Sequence, residues 1–208
     1  NTSAANGTKV DVSTRGTTTE FSTTSENATV TVTPVNDAPT QSATGNTDTY
    51  TENASPLTVA NADYAMSTVE AGQTIESIVF KITKLQDTAN EKFTFDGTTF
   101  GLATDAVGGT TAGNSYAWTV STTGGTATIT LVKAGVSVAT ATSLIKAATY
   151  QYDGNDIVAG TARGVTVQAQ DSGAGPDTST FTTLNTITVA PVNDAPTQSA
   201  TGNTDTYT

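Results

Sequence analysis

Residues 30–51 read VTVTPVNDAPTQSATGNTDTYT and residues 187–208 read ITVAPVNDAPTQSATGNTDTYT, identical at 20 of 22 positions. Only Val30/Ile187 and Thr33/Ala190 differ, and the offset is 187 − 30 = 157 residues. That is much longer than the roughly 20–50 residues of a solenoid unit and suits one whole domain. The spacing therefore predicts a tandem array. Residues 36–192 form one complete repeat, residues 1–35 the C-terminal strands of a preceding copy, and residues 193–208 the linker and first strand of the next. The leading segment can supply only a closing hairpin, from Val10-Asp11-Val12 and Thr29–Val32, and cannot bury a core alone.

The residue types inside the repeat point to strands. Thr contributes 49 of 208 residues, and with Val and Ile it favours the pleated conformation; 18 Gly and abundant Asn and Asp serve turns. Alternation over residues 74–84 puts Ile75, Ile78, Phe80 and Ile82 on one buried face, with a slip at Ser77. Residues 92–95 and 98–102 flank Asp96-Gly97, and residues 115–121 and 126–132 flank Gly124-Gly125, two hairpin signals. Residues 165–169 and 186–190 read as the last two strands. One short helix is expected near residues 140–148, with Leu144, Ile145 and Ala148 on one side. Many short strands separated by turns predict an all-β antiparallel sandwich. Trp118, Tyr116, Tyr150 and Tyr152 are read as core or sheet-face residues, and Asp87, Glu91 and Asp105 as ordinary loop charges. The glycosylation triplets at Asn1, Asn6, Asn27 and Asn53 are attributed to chance in so Asn- and Thr-rich a chain.

What is missing restricts the chemistry. With no His and no Cys, neither nucleophile–histidine catalysis nor the nitrogen and sulfur ligand sets of zinc can be assembled. Eight basic against 19 acidic residues give a net charge of −11, which repels nucleic-acid phosphates and anionic membranes. No run of roughly 20 apolar residues suits a membrane span, so no direct membrane insertion is expected.

The acidic residues carry the remaining chemistry. Val35-Asn36-Asp37-Ala38-Pro39 recurs as Val192–Pro196, so each joint holds Asn-Asp between prolines that restrict the backbone. Glu52 follows in Thr-Glu-Asn-Ala-Ser-Pro, and Glu70 precedes the first long strand. Asp153 and Asp156 lie before the penultimate strand, and Asp171 after it. Calcium takes six to eight oxygen ligands in flexible geometry, and acids at strand ends and in linkers supply such a set.

In order, Glu-Asn-x-x-Pro (52–56), Glu-x-Gly (70–72), LIKAATYQYD (144–153), VTVQAQDSG (165–173) and VNDAP resemble the bacterial cadherin-like repeats of giant surface adhesins. The resemblance covers essentially the whole 157-residue repeat, and VNDAP, recurring at the domain period, is its most specific part. It implies a cadherin/Ig-like β-sandwich with Ca2+ bound between successive domains. Carried over by motif, the joint before this repeat would use Asn36, Asp37, Glu70 and Asp171. The joint after it would use Glu52, Asp153, Asp156, Asn193 and Asp194. Thr68-Val69-Glu70 stands where the family has Asp-x-Asp, so one or two ions per joint are expected in place of three.

The leading function is then a non-catalytic extender, stiffened by calcium, in the repeat region of an extracellular or bacterial cell-surface adhesin that serves adhesion, biofilm or filament formation. Its partners are adjacent repeats, with lateral self-association or a host or matrix ligand as further possibilities. The resemblance also implies a one-step bacterial exporter. An alternative is a recognition module that binds a glycan, a protein or another copy of itself through loops such as residues 103–114. Carboxylate-only enzymes such as glycosidases need two converging acids, and the acids here sort to linkers and strand ends. Ice binding needs a regular Thr array, and Thr is diffuse along the sequence.

Overall fold

The alternation over residues 74–84 becomes the central strand of the fold. The computed structural model describes residues 27–33, 35–155, 157, 161–173, 178–195, 198 and 202. The chain divides into two units, Asn1–Val35 and Asn36–Thr208, and the strands below belong to the second. In chain order they are β1 (Thr40–Ser42), β2 (Asn46–Thr51), β3 (Leu57–Thr58), β4 (Ala65–Ser67), β5 (Ile75–Thr83), β6 (Glu91–Phe95) and β7 (Thr98–Gly101). Then come β8 (Ala106–Thr110), β9 (Ala117–Thr123), β10 (Thr126–Val136), the helix α1 (Val138–Lys146), β11 (Thr149–Tyr152), β12 (Arg163–Asp171) and β13 (Thr182–Ala190).

Seven strands form one sheet in the order β2-β13-β12-β5-β10-β9-β8, and four form another, β3-β11-β6-β7; β1 pairs with β4 alone. Rings from the two larger sheets meet between them. Phe80 of β5 touches Phe93 and Phe95 of β6 at 4.8 and 5.5 Å, and Tyr50 of β2 meets Tyr150 of β11 edge-on at 5.7 Å. The protein is thus all-β, two sheets enclosing one core to which Tyr116, Tyr150 and Tyr152 all belong.

The slip at Ser77 is a bulge. β10 pairs Val132 with Ser77 but Val136 with Ile75, and β12 pairs Gln170 with Ser77 but Asp171 with Ile75. Both shifts keep Ile75 facing inward with Ile78, Phe80 and Ile82. The two hairpin signals form left-handed two-residue turns, with φ of 51° and 73° at Asp96-Gly97 and 57° and 71° at Gly124-Gly125. The helix starts two residues earlier than the reading from sequence, because the Ser137 hydroxyl accepts the Thr140 amide and caps it.

Three expectations are corrected. The ladders are antiparallel except β2–β13, which runs parallel from Asn46↔Asn185 to Thr51↔Ala190. No hairpin joins these two strands, so nothing fixes them antiparallel. Residues 29–33 form no strand, with Val30 and Val32 exposed at 84% and 82%, whereas the near-identical Ile187 and Val189 are buried in β13. Alternation alone makes no strand; β13 has β12 and β2 as partners, and residues 29–33 have no ladder among the described residues. Residues 10–12 and 203–208 lie outside the described residues.

Glu91 is the third correction, since it is no loop charge. It opens β6 and is fully buried. Its Oε1 accepts the Gln86 and Asp87 amides at 2.8 and 3.0 Å and Arg163 Nη2 at 2.9 Å. Its Oε2 accepts the Tyr150 hydroxyl at 2.8 Å and Arg163 Nε at 3.1 Å. Arg163, equally buried, also donates to the Thr161 carbonyl at 2.8 Å. Burial pushes the Glu91 pKa up, but the Arg163 hydrogen bonds and the backbone donors outweigh that, and the net shift is downward. Asp87 likewise accepts from Asn90 and the Tyr152 hydroxyl, and Asp105 from the Thr122 amide.

Trp118 lies half-buried on β9, its ring 5.1 Å from that of Phe100. A Cβ added to Gly108 would fall inside the indole. Gly108→Ala is therefore expected to cost about 1–3 kcal/mol by overpacking. As the chain has one Trp, a fluorescence-detected melt reads the change directly; an unshifted midpoint would mean the indole moves aside freely.

Candidate metal centre

The bulge that ends β12 delivers Asp171 to one pole of the repeat, fully buried at the end of its strand. The turn before β5 brings Glu70 and Gln73 to the same pole, and the segment leading into β1 brings Asn36 and Asp37. Asn36 Nδ2 donates to Asp171 Oδ1 at 3.1 Å across 135 residues of sequence. The Asp37 amide donates to Glu70 Oε1 at 3.2 Å, and Gln73 Nε2 donates to Asn36 Oδ1. Asp171 Oδ1 also accepts the Gly173 amide at 3.4 Å, and the Thr74 amide donates to the Ser172 hydroxyl at 3.0 Å, tying the two turns together. A Cβ on Gly173 would overlap the Asn36 carboxamide, so glycine allows this close approach. All four residues expected at the preceding joint therefore meet.

The cluster is short of donors. Glu70 Oε2, Gln73 Oε1 and Asp171 Oδ2 are buried oxygens to which nothing among the described residues donates. Each buried acceptor left unpaired costs about 1–3 kcal/mol. The three residues are joined through Asn36 and the Asp37 amide, and oxygens of this kind are what a hard cation would need. Among the described residues no three His, Cys, Asp or Glu side chains group together as a metal site. The carboxylates here are those of Glu70 and Asp171, beside the carboxamides of Asn36 and Gln73.

The opposite pole is built differently. Glu52 follows β2 and is 3% exposed. Its amide donates to the Ala190 carbonyl at 2.9 Å, and its Oε2 accepts the Val192 amide at 2.8 Å, so it continues the β2–β13 ladder into the linker. Its Oε1 has no donor among the described residues. The Tyr50 hydroxyl donates to the Ala54 carbonyl at 2.7 Å and the Tyr152 carbonyl at 3.3 Å, and Asp153 is near enough to help raise the Tyr50 pKa after burial itself. Asp153 is ion-paired with Lys92. Asn193 and Asp194 are exposed, while Glu52 and Asp153 are engaged by Val192 and Lys92. Asp156 lies outside the described residues.

Sequence reading missed Gln73 and Lys92. Gln73 sits three residues after Glu70 in the same turn, so a search for amide oxygens as well as acids finds it. Lys92 carries no motif; only the β6–β11 register, with Gln151 opposite Lys92, sets it beside Asp153. No helix among the described residues is long and apolar enough to cross a membrane. No family model, curated protein or solved structure matches the chain.

Proposed function

We propose that the chain is a non-catalytic extender: a cadherin-like β-sandwich repeat, of 157-residue period, in a large extracellular or cell-surface adhesin, with Ca2+ at its joints. One observation carries this reading. Asn36, Asp37, Glu70 and Asp171 converge at one pole and leave buried carboxylate oxygens without donors. Glu70 and Asp171, with oxygens of Asn36, Asp37 and Gln73, would hold the ion. Calcium supplies positive charge and a cross-link between linker and domain. Asn36 and Asp37 fix the linker, while Asp171 and Glu70 fix the two strand ends it meets. At the other pole Glu52 holds the Val192 amide and sets the direction in which Asn193 and Asp194 leave. By the repeat, those two residues stand to a following copy as Asn36 and Asp37 stand to this one.

Without an ion the crowded acids repel and the joint flexes. A chain of two full repeats should therefore lengthen in small-angle scattering, and melt higher, in millimolar calcium than in chelator. External modules bind calcium at about 10⁻⁴–10⁻³ M. Identical scattering profiles and melts with and without calcium would leave VNDAP as a proline-stiffened linker and defeat the proposal.

A further inference from the structure

We propose that the place of β2 on the edge of the seven-stranded sheet also accepts the second copy of its sequence, Asn203–Thr208, so that neighbouring repeats exchange their first strands. Three observations carry this inference, and none depends on calcium.

First, the occupant is specified. Residues 40–51 and 197–208 are identical at all twelve positions. Every side chain that β2 uses to hold its place therefore exists twice. Tyr50 is buried against Tyr150, and Asp48 Oδ2 accepts Asn185 Nδ2 at 2.8 Å; the second copy carries Tyr207 and Asp205 at the same places.

Second, the place is open to exchange. Among the described residues β2 is an edge strand whose one sheet partner is β13, held over the six pairs from Asn46↔Asn185 to Thr51↔Ala190. Once β2 leaves, the edge of β13 becomes a template for another strand of matching pattern. Departure of β2 breaks one ladder and exposes one edge of β13, with the rest of the sheet intact.

Third, the second copy reaches. A strand returning to lie parallel beside β13 needs a crossover of about a dozen residues, and residues 191–202 number twelve. Such a segment spans up to about 40 Å, against about 20 Å for the six residues it must retrace. Departure of β2 also takes Glu52 away from the Val192 amide, which frees the linker for the return. The tether keeps the second copy at an effective concentration on the order of millimolar. The resident strand prevails in the intact protein because β1, paired with β4, and the turn at Glu52–Ala54 anchor it at both ends. Of the two hydroxyl bonds of Tyr50, the one to Tyr152 stays available to Tyr207, while the one to Ala54 does not.

The test is a set of melts on the full chain in chelator: wild type, Tyr50→Ala, Tyr207→Ala and the double variant. If the second copy fills the vacated place, Y207A melts with the wild type and Y50A falls by only a few degrees. The double variant then drops by roughly 10 °C or more, as loss of a buried aromatic ring demands. If Y50A and the double variant melt together, whether both low or both unfolded, Tyr207 rescues nothing and the exchange does not occur. Asp48→Ala against Asp48→Ala/Asp205→Ala repeats the comparison with a smaller perturbation. A rescue that grows with protein concentration assigns the incoming strand to a second molecule, and one that does not assigns it to the same chain; either supports the exchange.

Discussion

Replacing Glu91 by alanine should destabilise the protein by about 3–5 kcal/mol at neutral pH, since it leaves the buried Arg163 guanidinium without its counter-charge. In a domain of this size that lowers the melting point by roughly 10 °C. Two of the five donors on Glu91 are backbone amides of residues 86 and 87, so their turn loosens as well. The sign with pH follows from the downward shift of the Glu91 pKa from 4.5. The unfolded chain takes up a proton on this group before the folded one does, so its contribution is complete above about pH 5 and disappears as pH falls below that. Glu91→Gln should accordingly be less stable than wild type at pH 7, with a shallower loss between pH 5 and 3. Thermal melts at several pH values measure both effects. Equal midpoints at pH 7 would mean that Arg163 finds another acceptor.

Asp171→Asn should abolish the calcium response and leave the ion-free protein close to wild type. Oδ1 remains to accept from Asn36 and Gly173, while the carboxylate charge and the undonated Oδ2 are lost. At a free ion concentration 100 times its dissociation constant, one bound ion adds about 2.7 kcal/mol to the folded state, or some 5–10 °C here. Wild type should show a rise of that size on adding calcium, and D171N should show little. A full response in D171N would move the ion away from this pole.

Local pattern was enough to find β5, its bulge, the two glycine-bearing hairpins and the helix, because each is fixed by neighbours within a few residues. The corrections concern matters that only distant partners decide. The same Thr/Val alternation is exposed at Val30 and Val32 and buried at Ile187 and Val189, and the sequence around them scarcely differs. Glu91 looked like a loop acid because Arg163, its partner, lies 72 residues away on another sheet. At the candidate site, the acids at strand ends and in the linker were legible, but the grouping of Asn36, Asp37, Glu70 and Asp171, whose bonds span 33 and 135 residues, came from the motif resemblance. It gave no sign that Asp153 would be held by Lys92, since nothing in the sequence sets that cross-strand neighbour apart. Thr is diffuse along the chain, yet it gathers on the outer face of the larger sheet, where Thr130 opposes Thr119 and Thr126 opposes Thr123. Strand register does the gathering.

The parallel pairing of β2 with β13 also decides how the protein meets tension. Beyond the short β1–β4 pair, the chain enters the larger sheet through β2 and leaves it through β13, so a pull on the two ends slides these strands past each other along their length. Their inter-strand bonds then resist together, whereas an antiparallel pair joined at a hairpin would open like a zip, one bond after another. Glu52 adds a further bond at the point where the pull arrives, from the Val192 amide. A pairing that looks like an irregularity in an otherwise antiparallel fold thus lets the sheet resist by shear a pull on its two ends, the load that the proposed extender would carry.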